Sequence, residues 1–196
     1  MAKSAVTPAS SQPPGSARER LLAAARELFY AEGINTVGID RIIERAGVAK
    51  ASLYDNFGSK EELVRAYLAD RAASRQARIE AWLERYQSPR EKILGLFDWL
   101  GDAMAQPGFH GCYFQRANAE LKPEAAGRTV LGDAREWTNG LLTRLAREGG
   151  LPQPKKVARQ IQILLDGAIV SAAMDGAPQA AATAKAIAAT LIDAAA

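Results

Sequence analysis

The chain has 196 residues, 48% hydrophobic and 24% charged, a composition that suits a globular protein able to bury a real core. One cysteine excludes an internal disulfide, and one histidine beside it is too little for a zinc site, so neither a metal nor a cofactor is expected. The formal charge of +3 tolerates an anionic partner without implying one, and no stretch approaches the roughly 18 uninterrupted apolar residues of a membrane span.

Residues 1–15, rich in Ala, Ser and Pro, have too little apolar periodicity to offset the entropy of ordering and read as a disordered tail. They also lack the apolar middle of a secretory signal, so the expected location is cytoplasmic, with no membrane partner. Ser16 with Glu19 forms a capping box, and Leu21, Leu22, Ala25, Leu28 and Phe29 then recur at helical spacing as far as Gly33. Ile39, Ile42, Ile43 and Ala46 repeat the pattern over a short helix bounded by Gly38 and Gly47, and a third short helix runs from Lys50 to Phe57. Ser59 with Glu62 predicts a second capping box, opening a long helix to about Tyr86, and Ser88-Pro89-Arg90-Glu91 predicts a third. After Pro107-Gly108 and Gly111, helices are expected over 112–121, 124–148, 155–174 and 179–194, separated by Pro123, the Gly149-Gly150 stretch, and Gly176 with Pro178. No strand alternation emerges. The reading is all-α, about nine helices: an N-terminal helix-turn-helix unit over 16–58 and a larger helical part over 59–196.

Two short helices joined by a tight glycine turn, with a third packed across them, describe a helix-turn-helix module. In the segment KASLYDNF, Leu53 and Phe57 lie four apart on the inner side, which leaves a small, polar outer face of Ala51, Ser52 and Asp55, flanked by Lys50, Tyr54 and Asn56. Small residues let a helix backbone approach the floor of a major groove, and lysine, serine, tyrosine and asparagine donate to phosphates or base edges. Thr36 and Lys60 are placed to brace the DNA backbone. Residues 17–60 hold seven Lys and Arg against six Asp and Glu, so affinity must come from local placement and from two copies acting together.

These residues resemble the DNA-binding domain of the TetR/AcrR family of one-component bacterial repressors. The likeness spans residues 18–68 and is densest in A-G-V-x-K-x-x-L-Y-x-x-F-x-S-K-E-x-L, from Ala46 to Leu63. The resemblance implies that Lys50, Ala51, Ser52, Tyr54 and Asn56 line a recognition helix and that Lys60 and Thr36 hold the DNA backbone. It also implies a homodimer through the two C-terminal helices, on a palindromic double-stranded operator, and release by a small-molecule effector. Ala49 departs from the family's usual serine or threonine cap and Ala51 from its frequent glycine. Asp55 stands where an aromatic or histidine is frequent, which makes this carboxylate a candidate for setting operator specificity.

For the effector, aromatic and soft residues concentrate in the middle helices, giving Phe97, Met104, Cys112, Tyr113, Arg116, Trp137 and Asp166 as candidate pocket residues, although the same residues also suit ordinary core. Gly111-Cys112 followed by Glu120 resembles a family subgroup with a G-C-x(3)-N-x(3)-E segment, with Arg116 in the asparagine position. Cys112 near His110 and Arg116 allows a thiol-based electrophile or redox sensor of the same fold, against the alternative of a small buried hydrophobe. No phosphate-binding glycine loop and no nucleophile-base pair supports an enzyme. A helical protein-interaction module would leave the polar face of residues 50–56 without a role.

Overall fold

The computed structural model describes residues 15–177 and 179–195. Within them lie nine helices and no strand: α1 Ala17–Glu32, α2 Ile39–Ala46, α3 Lys50–Phe57, α4 Lys60–Leu83, α5 Pro89–Met104, α6 Tyr113–Glu120, α7 Gly127–Glu148, α8 Pro154–Asp175 and α9 Ala180–Ala195. All but the last residue of the expected tail, and the break at Pro178, lie outside the described residues.

The local signals act largely as anticipated. Ser16 and Ser88 each accept from the backbone N–H three residues on, while Glu19 and Glu91 reach back to the cap N–H, completing two capping boxes. At α4 only half the box forms: Ser59 accepts from the Glu62 N–H, but the Glu62 carboxylate turns instead to Arg65 at 2.7 Å. Gly47 ends α2 at φ 62°, the left-handed conformation that lets α3 cross α2 within a few residues. Ala49 caps α3 with no side-chain bond, leaving its first-turn amides unserved by a cap.

Two helices differ in extent from the sequence reading. α4 stops at Leu83 rather than near Tyr86, because the chain must turn there to return as α5. The turn is pinned by Trp82, whose indole N–H donates to the Gly95 carbonyl at 3.0 Å, and by Tyr86, whose hydroxyl donates to Asp98 at 3.2 Å. α7 starts at Gly127 rather than 124, since Pro123 lies in a turn closed by Ala125 N–H to the Lys122 carbonyl at 3.1 Å. Arg128 fastens that turn by donating to the Leu121 and Lys122 carbonyls.

The apolar side chains gather in two cores. One joins α1, α2, α3 and the start of α4 around Leu21, Phe29, Ile42, Leu53, Leu63 and Leu68, and takes in Ala117 of α6 and Leu131 of α7. Leu53 has no exposed surface, and burial of a side chain of that size stabilises by about 1.5–3 kcal/mol. The second core packs the end of α4, through Ile79 and Leu83, against α5, α7, α8 and α9. α4 therefore runs from the heart of one core to the heart of the other, and α7 also reaches both, through Leu131 in the first and Leu141, Leu142 and Leu145 in the second. α8 is long and apolar enough to cross a membrane by length and composition alone. It buries Val157, Ala158, Ile161 and Leu165 in the second core and carries Lys155, Lys156, Arg159 and Asp166, the pattern of a packed amphipathic helix.

Gly95 marks the closest approach between α5 and the turn before it. A Cβ there would stand 2.6 Å from Cζ of the Tyr86 ring, which is itself held by Asp98. Gly95→Ala is expected to lower stability by about 1–3 kcal/mol in denaturant unfolding, despite the higher helix propensity of alanine.

Candidate functional site

α3 presents the outer face expected of it. Lys50, Ala51, Tyr54, Asp55 and Asn56 are exposed, Ser52 is half-buried, and Leu53 anchors the opposite side in the core. Asn56 is partly occupied, since its Nδ2 donates to the Ser52 carbonyl at 2.7 Å. Lys50 donates to Asp40 at 3.0 Å, and this hydrogen bond, with the charge of Asp40, holds its ammonium pKa above the ordinary lysine range.

The other cations of the unit are likewise engaged within the protein. Arg26 pairs with Asp70, Arg41 with Glu32, and Arg45 makes a bidentate pair with Glu27, while Arg18 lies 5.3 Å from the centre of the Phe57 ring. Thr36 is exposed in the turn between α1 and α2, and α2 begins at Gly38 with no side-chain cap, which leaves amides there to meet a phosphate. Lys60 points the other way. Its Nζ donates to the Ile34 carbonyl at 2.7 Å inside the α1–α2 turn, and burial pushes its pKa down, with Glu120 pulling weakly upward.

The same turn is gripped by α6. Glu120, its last residue, accepts the Asn35 backbone N–H at 2.8 Å, and the Asn35 side-chain amide donates to the Glu120 carbonyl at 3.0 Å. At the opposite end of α6, the Tyr30 hydroxyl of α1 accepts from the His110 N–H at 2.8 Å and donates to the Gly111 carbonyl at 3.0 Å. The eight-residue α6 is thus tied to the helix-turn-helix unit at both ends.

Between the two cores, walled by α4, α5, α6, α7 and α8, lies a cavity of about 580 Å³. Of the candidate pocket residues, Cys112, Tyr113 and Asp166 line it. Phe97 and Met104 do not: they are 1% and 7% exposed and fill the second core, because the face of α5 toward the cavity is that of Leu96, Trp99, Leu100 and Ala103. Trp137 sits one face away on α7, by a smaller recess. Arg116 stacks 5.7 Å from the centre of the Tyr30 ring and donates to the His110 carbonyl at 3.4 Å, bracing the loop outside the cavity. Burial pushes Tyr113 up to about 12 in spite of the opposing pull of Arg75 and Arg71. Cys112 is half-buried on the wall, at the cap of α6. Among the described residues no three His, Cys, Asp or Glu converge in a way that would hold a metal ion.

The sequence reading missed several cavity and relay residues: Arg71, Arg75, Arg78 and Arg135, Gln162, Tyr30, and the Asn35–Glu120 pair. One signal was present. Arg71, Arg75 and Arg78 fall at i, i+4 and i+7, a single stripe along a helix whose neighbouring turns bury Val64 and Tyr67 on that side.

Residues 21–67 match the model of a family described as bacterial regulatory proteins, tetR family. Over 165 residues, 80% of this chain and 86% of its relative, the sequence is 34% identical to the transcriptional regulator LmrA of Bacillus subtilis. The chain belongs to the TetR family. It is therefore a DNA-binding transcriptional regulator of a family of regulators, not of enzymes. A TetR-family structure from Streptomyces coelicolor superposes with a TM-score of 0.85 at 28% identity, over 91% of this chain and 95% of that one. Another, from Streptomyces avermitilis, gives 0.84 at 32% identity, over 92% and 98%. The repressor KstR2 of Mycolicibacterium smegmatis is 34% identical over 47% of this TetR-family chain, but the match spans only 45% of KstR2. The activator FasR of the same organism is 39% identical, over 42% of this chain and 40% of FasR. The chain thus matches less than half the length of these two relatives.

The Lys50–Asp40 pair yields a direct test of the α3 face. Lys50→Ala is expected to weaken operator binding and lower the slope of log K against log salt by about one. Asp40→Asn frees the same ammonium and is expected to tighten binding about two- to fivefold at low salt, the opposite sign from any loss of fold. Both are read by fluorescence anisotropy on an operator duplex.

Proposed function

We propose that this TetR-family regulator is a homodimeric repressor, that its two α3 helices read a palindromic operator, and that a small molecule in the cavity releases it. The division into a DNA-binding unit over 16–58 and a ligand-binding and dimerising part over 59–196 is part of the same reading. The observation that carries it is α6: one of its ends forms cavity wall at Cys112 and Tyr113, and its other end holds the α1–α2 turn through Glu120 and Asn35. A ligand that displaces that wall acts on the unit carrying α3, with α4 as the stiff element between the two cores. To lower operator affinity a hundredfold, the ligand needs about 2.8 kcal/mol of preference for the released arrangement.

The dimer rests on α8 and α9. Ile163, Val170 and Met174 are 58%, 45% and 80% exposed and recur at i, i+7 and i+11, one stripe along α8, with Ile187 of α9 also 51% exposed. Apolar side chains left in water along two adjacent helices favour a second copy, and a two-fold axis through them would present both α3 helices to one side of a duplex. Within the α3 face, Lys50, Tyr54 and Asn56 supply donors, Ala51 and Ser52 permit close approach, and Asp55 is the residue suited to a cytosine amino group. Thr36 and the α2 amides take phosphates, and Lys60 acts on DNA indirectly, by holding the turn that carries Thr36.

Gel-shift titration with the intergenic DNA upstream of the protein's own gene tests the whole reading, and light scattering tests the dimer. Ile163→Asp with Met174→Asp is expected to give a folded monomer whose operator affinity falls by about 100-fold or more, since each half-site then binds alone. A dimer that persists in that variant, or full operator affinity in a monomer, contradicts the proposal.

A further inference from the structure

The inward stripe of α4 changes character midway. Val64 and Tyr67 are buried in the first core and Ile79 and Leu83 in the second, but the two turns between them carry Arg71, Arg75 and Arg78 to the cavity. Each guanidinium lies against an aromatic ring: Arg71 5.3 Å from the centre of Tyr113 and 5.8 Å from that of Tyr67, Arg75 5.7 Å from Phe114, and Arg78 5.9 Å from Trp99. None of the three has a carboxylate within ion-pair distance among the described residues. Arg71 Nε is also buried without a hydrogen-bond partner.

The cavity's one lining carboxylate does not neutralise them. Asp166 takes Arg135 at 2.8 Å on one oxygen, and Gln162 at 3.0 Å and Gln115 at 3.5 Å on the other. That network leaves four lining arginines against one acid. A second polar atom is unmet: Gln162 is 5% exposed, and its Oε1 accepts nothing.

A guanidinium stacked on a ring uses its face and keeps its N–H bonds free at the edge, in the fork that matches a carboxylate or phosphate. Stacking contributes about 0.5–2 kcal/mol, which does not compensate for two half-buried guanidinium charges on one stripe, Arg71 and Arg75, with the exposed Arg78 a turn further on. A cationic ligand would add to their repulsion, and a neutral one would leave it in place. Leu96, Leu100, Leu131, Leu141 and Ile169 give the wall an apolar stretch, beside neutral polar groups such as Gln115, Asn118 and Thr138. We propose that the cavity takes an oxyanion on an apolar body, its carboxylate or phosphate held by the edges of Arg71 and Arg75 with Arg78 behind them, and its body against the leucines. The Gln162 oxygen is left to receive a donor from that body. This names the class of the effector proposed above and rests on that reading.

The test is calorimetric titration of the full-length protein with four probes of one chain length: decanoate, decyl phosphate, decanamide and decylamine. One or both anions are expected to bind about tenfold or more tightly than decanamide, with decylamine weakest, and the ratio between the two anions separates carboxylate from phosphate. In Arg71→Gln with Arg75→Gln, the anion should lose its preference while decanamide affinity and the thermal unfolding profile stay in place. If that variant does not fold, Arg78→Gln, at an exposed position, should reduce the preference in part. Equal or tighter binding of decanamide, a preference that survives in the folded double variant, or no binding by any probe overturns the proposal. Operator release is read separately by anisotropy. An anion that binds with the expected preference but leaves the operator complex intact supports the ligand class and contradicts the effector reading. A neutral or cationic probe that binds more tightly than the anions and releases the operator does the reverse.

Discussion

The fold depends on α4 having to serve two cores, with α7 beside it reaching both. α4 enters the first core at Leu63, Val64, Tyr67 and Leu68 and the second at Ile79 and Leu83, while the stretch between them is charged where a packed helix would be apolar. Guanidinium groups cannot fill a core, so the cores stay apart and a cavity of about 580 Å³ stands between them. The helix is continuous from the helix-turn-helix unit past the cavity, which is the link the proposed release relies on. α6 adds a second link across the same gap, through Tyr30 at one end and Glu120 with Asn35 at the other.

The DNA-binding unit balances its own charges to an unusual degree for its task. Arg26, Arg41, Arg45 and Lys50 each have a carboxylate partner inside the protein. These pairs are mostly exposed, worth about 0–1 kcal/mol each, and cheap to exchange for phosphates. On the proposed reading, such a surface binds DNA weakly one unit at a time and depends on two correctly spaced copies. That dependence makes a modest change in the setting of α3 sufficient to alter occupancy.

Much of the fold was legible in the sequence because its signals are local. Ser16 with Glu19, Ser88 with Glu91 and Gly47 each act within one helical turn, and the period of Leu21, Leu28 and Ile42 reports a face whatever that face meets. The α3 surface was legible for the same reason, since Leu53 and Phe57 fix which side remains outside. The cavity was not. Phe97 and Met104 look like pocket residues by type, yet which side of α5 meets α9 and which meets open space depends on the packing of four helices. Lys60 looked like a phosphate contact, and its role in the α1–α2 turn depends on the Ile34 carbonyl 26 residues earlier in the chain. Asn35 and Glu120, 85 residues apart, show no relation until the chain is folded. The arginine stripe could have been read, because three cations at helical spacing on a buried side have to answer to something.

The central claim is that filling the cavity and holding the operator are coupled, and it can be tested without knowing the effector. Ala134, 8% exposed on α7, lines the cavity, and Ala134→Trp places an indole in the space a ligand would take. The measurement is operator affinity of this variant, in a sample shown to be dimeric and to unfold cooperatively. The account predicts a loss of about tenfold or more relative to the native sequence, as though ligand were bound. Unchanged affinity in a folded dimer with the cavity filled would contradict it.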